Sequence, residues 1–227
     1  MALAANDELG RIGWLRDADP SFRVAILAIA VPRSFDDGQV MWQAGEPGNG
    51  MIGIRRGMAG MLHALARPSA PVAHLCGPGF WIGQGPFLAD LPLQTTLVAR
   101  GAAVAVIVSR HSLLKLLADR GDYWRELGRL TLDHTMVAVT IANDLMIPNS
   151  RQRLAATLLR LAGCRFAGVP VGALTITQSE IAAMANLSRH SASPILAEFT
   201  SAGLIGAGYR TLVVRDAPRL RALVEDD

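Results

Sequence analysis

The pattern of apolar and polar positions changes texture along this chain. Ser21–Ala30 (SFRVAILAIA) has the spacing of a short helix, which Pro32 stops. From about Phe35 to Val108, short apolar runs alternate with glycine and proline. The runs are Gln39–Trp42, Met51–Arg55, Met58–Ala64, Val72–Cys76, Thr96–Val98 and Ala102–Val108. Asp37-Gly38, Gly45-Glu46-Pro47-Gly48, Arg56-Gly57 and Gly77-Pro78-Gly79 are turn signals between them. Strands this short at this spacing predict an antiparallel roll or barrel. Helical spacing then takes over. Ser109-Arg110-His111-Ser112 caps a short helix over LLKLLADRG, and a longer helix is predicted from about Asp122 to Leu145. On it Leu127, Leu130, His134, Val137, Ile141 and Asp144 recur three or four residues apart, a heptad-like stripe. Such a stripe serves either an ordinary core or a seam with a second copy. A helix this long and apolar between two domains favours the seam, with Leu127, Leu130, His134, Val137 and Ile141 at a dimer interface. His134 reads as a satisfied structural residue, although a histidine in a seam would also confer pH sensitivity.

Pro148-Asn149-Ser150 breaks the pattern, and Arg151–Ala162 is again an amphipathic helix, apolar at Leu154, Leu158, Leu159 and Leu161. Gly163–Ala173 reads as a loop with a short strand at Val169–Val171. Leu174–Val214 carries the most information. Thr177 is a good N-cap, and Glu180 completes a capping box. The helix Gln178–Met184 is short and alanine-rich. Ala185-Asn186-Leu187 makes a tight turn, in which asparagine tolerates the left-handed conformation. Ser188 caps a second helix through about Ala202, and Gly203 ends it. Leu204–Ile205 and Thr211–Val214 form two strands of a hairpin. Helix, tight turn, helix and hairpin is the winged helix-turn-helix pattern, whose second helix fits the DNA major groove. Arg189, His190 and Ser191 are then placed to face bases, and Thr177, Gln178, Ser188 and Arg210 to lie near phosphates. The bland alternative is an ordinary three-helix core.

Composition sharpens this picture. With 227 residues, 51% hydrophobic and 18% charged, and a mean hydropathy of +0.29, the chain can bury a sizeable core and is too apolar for disorder. No apolar run reaches the ~18 residues that span a bilayer. The first twenty residues lack the apolar centre of a signal peptide, and Cys76 and Cys164 read as reduced thiols. A cytoplasmic protein without membrane contact is expected. Residues 1–147 balance 13 basic against 13 acidic side chains, whereas residues 148–227 hold 9 and 6. A basic C-terminal module beside a neutral N-terminal one suggests two domains, one of which meets a polyanion. No His-x-His pair with a downstream Glu occurs between Phe35 and Val108, and no nucleophile–base motif is visible, so an enzyme is not expected.

Several segments together resemble the Crp/Fnr family of bacterial transcription regulators. Ile176-Thr177, Glu180-Ile181, Ser188-Arg189, Ile195-Leu196, Leu204-Ile205 and Arg210–Val214 match its DNA-binding domain. Arg153-Leu154-Ala155, Leu158-Leu159 and Leu161-Ala162 match the helix that follows its dimerisation helix, and the Gly45-Glu46 and Gly57 turns look like its β-roll. The resemblance implies an α+β protein in three parts. These are an N-terminal antiparallel β-roll of the cyclic-nucleotide-binding kind over 1–120, a long dimerisation helix over 121–147, and a winged helix-turn-helix over 148–227. It further implies a homodimer that binds a two-fold operator on double-stranded DNA, with RNA polymerase as a further partner.

Departures from the family pattern bear on the effector. In cyclic-nucleotide members a Glu holds the ribose and an Arg the cyclic phosphate. The matching stretch here is Trp81-Ile82-Gly83-Gln84-Gly85-Pro86 followed by Gln94-Thr95-Thr96, with Gln84 and Gln94 in those two places. Loss of the Arg removes a hydrogen bond to charge of ~1.5–3 kcal/mol. The Thr-Ser pair that reads adenine aligns with Ala138-Val139. Gly83, Gln84, Gln94, Thr95, Ala138 and Val139 therefore outline an effector pocket that has lost its cyclic-AMP-binding groups, open to a more apolar ligand or to none. Two cysteines are too few for an iron–sulfur cluster, while His63, His74, Cys76 and the methionines leave haem ligation open beside their plainer reading as packing residues. No metal or cofactor is otherwise expected. In the recognition helix, His190 replaces the family's Glu and Pro194 its second Arg. Either the helix starts after Ser188 and kinks at Pro194, or Ser193 caps a shortened helix with Pro194 at its first position. A module that senses a ligand or binds a protein, with degenerate DNA binding, is the rival reading.

Overall fold

A computed structural model describes residues 8–63, 72–166 and 172–225. In chain order the elements are α1 (Gly13–Arg16), α2 (Pro20–Ala28), β1 (Val31–Phe35), β2 (Val40–Trp42), β3 (Gly50–His63), β4 (His74–Cys76), β5 (Trp81–Ile82), α3 (Gln84–Ala89), β6 (Thr95–Ser109) and α4 (Arg110–Asp119). They continue with α5 (Trp124–Met146), α6 (Ser150–Leu161), β7 (Leu174–Thr175), α7 (Gln178–Met184), α8 (Arg189–Ser201), β8 (Ile205–Gly208), β9 (Thr211–Val214) and α9 (Ala217–Glu225). The chain divides into two compact units at Met136/Val137, inside α5, with a short stretch ending at His74 grouped with the second. The segment expected as a separate dimerisation element is thus shared between the two.

The first unit is built on a six-stranded sheet ordered β1-β6-β3-β4, with β2 on β6 and β5 on β3. Two of the expected short strands appear as β2 and β4, whereas the other four runs are fused in pairs into two long antiparallel partners, β3 and β6. Arg56-Gly57 is not a turn between strands but an irregularity within β3, where the register shifts between Ile54 and Met58. Gly57 has φ +76°, and a Cβ there would sit 2.5 Å from the Ala102 carbonyl oxygen. A bulge at glycine lets one strand bend round the roll without ending, which a reading of turn signals takes for a break. The roll begins at Val31 rather than Phe35, because Pro32 sits on edge strand β1, where no ladder donor is required.

The interior of the roll is filled by Phe35, Met41, Ile52, Ile54, Leu97 and the small residues Ala99, Ala103 and Ala105. A second core joins Leu9, Trp14, Phe22, Ile26, Trp81, Leu113, Tyr123, Leu127 and Leu130. Asp19 caps α2 by accepting from the Ser21 and Phe22 amides. Phe22 meets Tyr123 edge-on at 5.2 Å, and the Trp14 indole donates to the Glu126 carbonyl at 3.1 Å. The start of α5 is therefore fixed to the N-terminal helices.

In the second unit, α6 is buried along Leu154–Leu161 and packs on α9, a helix that the sequence pattern did not reveal. The sheet β7-β9-β8 completes the unit. The strand expected at Val169–Val171 lies outside the described residues.

Candidate nucleic-acid interface

Thr177 caps α7: its hydroxyl accepts from the Glu180 amide at 3.2 Å, and the Glu180 carboxylate accepts from the Thr177 amide at 2.9 Å. The turn that follows places Asn186 at φ +51°, and the Leu187 amide donates to the Ala182 carbonyl at 2.8 Å. Ser188 caps α8, accepting from the Ser191 amide at 3.0 Å. Ala192, Leu196 and Phe199 bury one face of α8. Arg189, His190, Ser191, Ser193 and Pro194 are exposed. The helix runs unbroken through Pro194, so of the two geometries open from the sequence the longer helix is the one formed. Gly203, at φ +72°, follows the Ala202 C-cap.

Strands β8 and β9 pair as far as Gly208–Thr211, which leaves Tyr209-Arg210 as a two-residue loop. Arg210 has φ +52°, and its carbonyl accepts from the Ile176 amide at 3.0 Å, which braces the hairpin tip beside the cap of α7. A cleft of about 390 Å³ is lined by Thr177, Gln178, Arg189, Tyr209 and Arg210 among others. Four of the seven residues expected to touch DNA thus share one cleft. Ser188, His190 and Ser191 lie beside it on the exposed first turn of α8 and do not line it.

The arginine excess is a weaker sign than the charge count suggests. Arg151 pairs with Glu198 at 2.8 Å, and Arg160 and Arg165 share Asp144 at 3.1 and 2.9 Å. Arg153 donates to the carbonyls of Ala185, at 2.8 Å, and of Ile147. Arg219 lies 3.8 Å from Asp216, and Arg221 donates to the Cys164 carbonyl. These six serve the fold of the unit. Arg153 ties the turn of the helix-turn-helix to the end of α5, a role that its place in the sequence did not suggest. Asp144, which the spacing placed on the stripe of α5, is buried and holds the internal pairs with Arg160 and Arg165.

Burial takes Leu127 and Leu130 of the expected dimer seam into the chain's own core. Leu127 and Leu130 are 0% and 2% exposed inside the first unit, and Val137 and Ile141 are half-buried. His134 stacks on Phe80 at 4.9 Å, and its Nδ1 lies 2.9 Å from the Gln84 amide nitrogen. An apolar helix lays its strongest stripe against its own chain first, and only what remains can meet a partner. The exposed large apolar residues of α5 are Trp124, Leu132, Met136, Val139, Leu145 and Met146, and Asn143 lies between Val139 and Met146.

The expected effector residues belong to both units. Gly83, at φ +115°, precedes α3, and Gln84 is 4% exposed with its amide held by His134. Gln94 is exposed and donates to the Pro92 carbonyl at 2.9 Å, and Thr95 opens β6. Ala138 and Val139 are exposed on the part of α5 that belongs to the second unit. A cleft of about 380 Å³ on the roll, lined by Ser34, Phe35, Asp36, Arg56 and Ala102–Val104, includes none of them. Cys76 is fully buried, and burial pushes its thiol pKa up, away from the reactive thiolate. The His63 side chain lies outside the described residues. Among the described residues no His, Cys, Asp and Glu group is arranged to hold a metal ion, and no helix is long and apolar enough to cross a membrane.

Burial also lowers the His134 pKa, although a hydrogen bond with the Trp81 backbone and nearby Asp133 oppose the shift. An imidazole held below its unfolded value of about 6.5 contributes stability above that pH, and this stability is lost as the pH falls towards the folded value. The urea midpoint of the first unit should therefore drop between pH 7.5 and pH 5.5 by more in the parent protein than in His134→Gln. Equal drops would remove His134 as the cause.

Comparison with known proteins agrees with this geometry. Residues 32–120 match the cyclic nucleotide-binding domain family, and residues 152–223 the Crp-like helix-turn-helix domain. The chain is 26% identical over 216 residues to a CRP-like cAMP-activated global transcriptional regulator of Mycobacterium tuberculosis, covering 93% of this chain and 96% of that one. It is 24% identical over 202 residues to the HTH-type transcriptional regulator Cmr of the same species, covering 84% and 75%. The structure of FixK2 from Bradyrhizobium japonicum has the same fold, with a TM-score of 0.69 at 20% identity over 86% of this chain and 97% of that one. A roll of the cyclic-nucleotide-binding kind followed by this helix-turn-helix places the chain in the Crp/Fnr family of transcription regulators.

Proposed function

We propose that this chain is a cytoplasmic transcription regulator that binds double-stranded DNA as a homodimer on a two-fold operator and acts on RNA polymerase. The observation that carries the reading is the exposed first turn of α8, where Arg189, His190 and Ser191 stand clear of the packed face while Thr177, Gln178 and Arg210 flank the same cleft. Arg189 and its neighbours contact base edges, and the capped helix ends and the hairpin tip position phosphates. Leu132, Met136, Val139, Asn143 and Met146 recur at spacings of four and three on α5, the pattern of a two-stranded seam with one polar residue that fixes register. The M. tuberculosis relative is named as cAMP-activated. Here Gln84 is turned to His134 and Gln94 to Pro92, and both are neutral. We read the roll as answering to something other than cyclic AMP.

Selection of genomic fragments by the purified protein tests this reading, and the expected outcome is an enriched inverted repeat. On that repeat Arg189→Ala should weaken binding by about 1–3 kcal/mol. Absence of any enriched repeat would favour a sensing or protein-binding module with degenerate DNA contacts.

A further inference from the structure

Arg153 bonds the C-terminal ends of two helices with one side chain. Its Nε donates to the carbonyl of Ala185, the C-cap of α7, at 2.8 Å. A terminal nitrogen of the same guanidinium donates to the carbonyls of Ile147 and Pro148, which follow the end of α5. The carbonyls at a helix C-terminus lack intrahelical donors, and the negative end of the helix dipole favours a cation there. The guanidinium is planar and rigid, so its nitrogens hold the two helix ends at a fixed separation. Asn186 and Leu187 are the only residues between Ala185 and Ser188, which caps α8. A single cation thus joins the end of α5 to the turn from which the recognition helix starts.

We propose that Arg153 is a positioning residue that sets the half-site spacing this protein accepts on DNA. This rests on the dimeric DNA-binding reading above. Val139, Asn143 and Met146 of the proposed seam belong to the same compact unit as α8. In a dimer, the distance and twist between the two α8 helices therefore follow from how each second unit joins its part of α5 to α8. Asp144, with Arg160 and Arg165, holds α5 to α6 and to the segment after it, not to the turn before α8. The Arg151–Glu198 bridge holds α6 to α8 at the surface, not to α5. Arg153 spans from the end of α5 to that turn directly. Without it the unit keeps its apolar core, but α8 can tilt relative to the seam.

The test uses the full chain and its selected operator, with one base pair inserted or deleted between half-sites. Each change moves a half-site by about 3.4 Å and turns it by roughly 35°. The parent should lose about 30-fold or more in affinity at either altered spacing, as one of its two probes disengages. Arg153→Gln, too short and uncharged to bridge the carbonyls, should bind the natural spacing about three- to tenfold more weakly and lose under about fivefold on the same changes. Both proteins should bind a duplex holding one half-site equally, which a merely unfolded variant would not do. If Arg153→Gln loses half-site binding, Arg153→Lys decides by the same spacing profile, since it keeps the charge and lacks the fork that reaches both helix ends. A spacing dependence as steep as the parent's in the variant that keeps half-site binding overturns the proposal, as does loss of half-site binding in both variants. Failure to select any operator, or one chain bound per operator, would instead refute the dimeric DNA-binding reading itself.

Discussion

Asp144→Ala should destabilise the second unit by about 3–5 kcal/mol, the largest stability effect expected of any single substitution in it. The carboxylate is 2% exposed and lies between the guanidinium groups of Arg160, at 3.1 Å, and Arg165, at 2.9 Å. Arg160 is itself only 6% exposed at its side chain, and burial lowers its pKa without making it neutral under any ordinary condition. Removing the anion leaves a buried cation with no countercharge, so the loss exceeds that of any surface pair. The exposed Arg151–Glu198 bridge, for comparison, contributes about 0.2–1 kcal/mol. Replacing Arg160 by Met in the Asp144→Ala background should restore much of the loss, because the desolvated charge goes with it. Urea unfolding of the two variants and the parent checks this. A loss of under about 1 kcal/mol for Asp144→Ala would show that water reaches the triad.

Met136→Asp combined with Val139→Asp should convert the proposed dimer to a monomer at concentrations of about 10 μM, because the two-fold seam proposed here would take in four uncompensated carboxylates per pair. Both residues are exposed in the single chain, at 54% and 44%, so the fold of each chain should survive. Operator affinity should fall with the dimer, since a lone chain engages one half-site and loses the gain from binding both at once, about 100-fold or more. Light scattering gives the mass, and far-ultraviolet circular dichroism confirms the fold. A double variant that stays dimeric would move the seam away from this face of α5.

The helix-turn-helix was legible in the sequence because its signals are local. The Thr177–Glu180 box, Asn186, the Ser188 cap and Gly203 each act within a few residues, and each stands where expected. The long strands were not legible, because Gly57 marks a bulge in the same letters that mark a turn, and only the partner strand at Ala102 distinguishes them. The stripe on α5 was found, but its orientation was not. Leu127 and Leu130 have the spacing of a seam, and whether they meet a second copy or the first unit's own core depends on the helices packed around them. Gln84 was read as a lost ligand, and its contact with His134, 50 residues away, leaves no trace in either local sequence.

In the proposed complex, two chains present two α8 helices to neighbouring major grooves, about 34 Å apart. Its most direct test is the mass of the complex formed on the selected operator, measured with the natural half-site spacing and with half a helical turn, about 5 base pairs, inserted between half-sites. Two chains per duplex and a steep loss of affinity on insertion are expected. One chain per duplex at full affinity, or binding indifferent to the insertion, would contradict it.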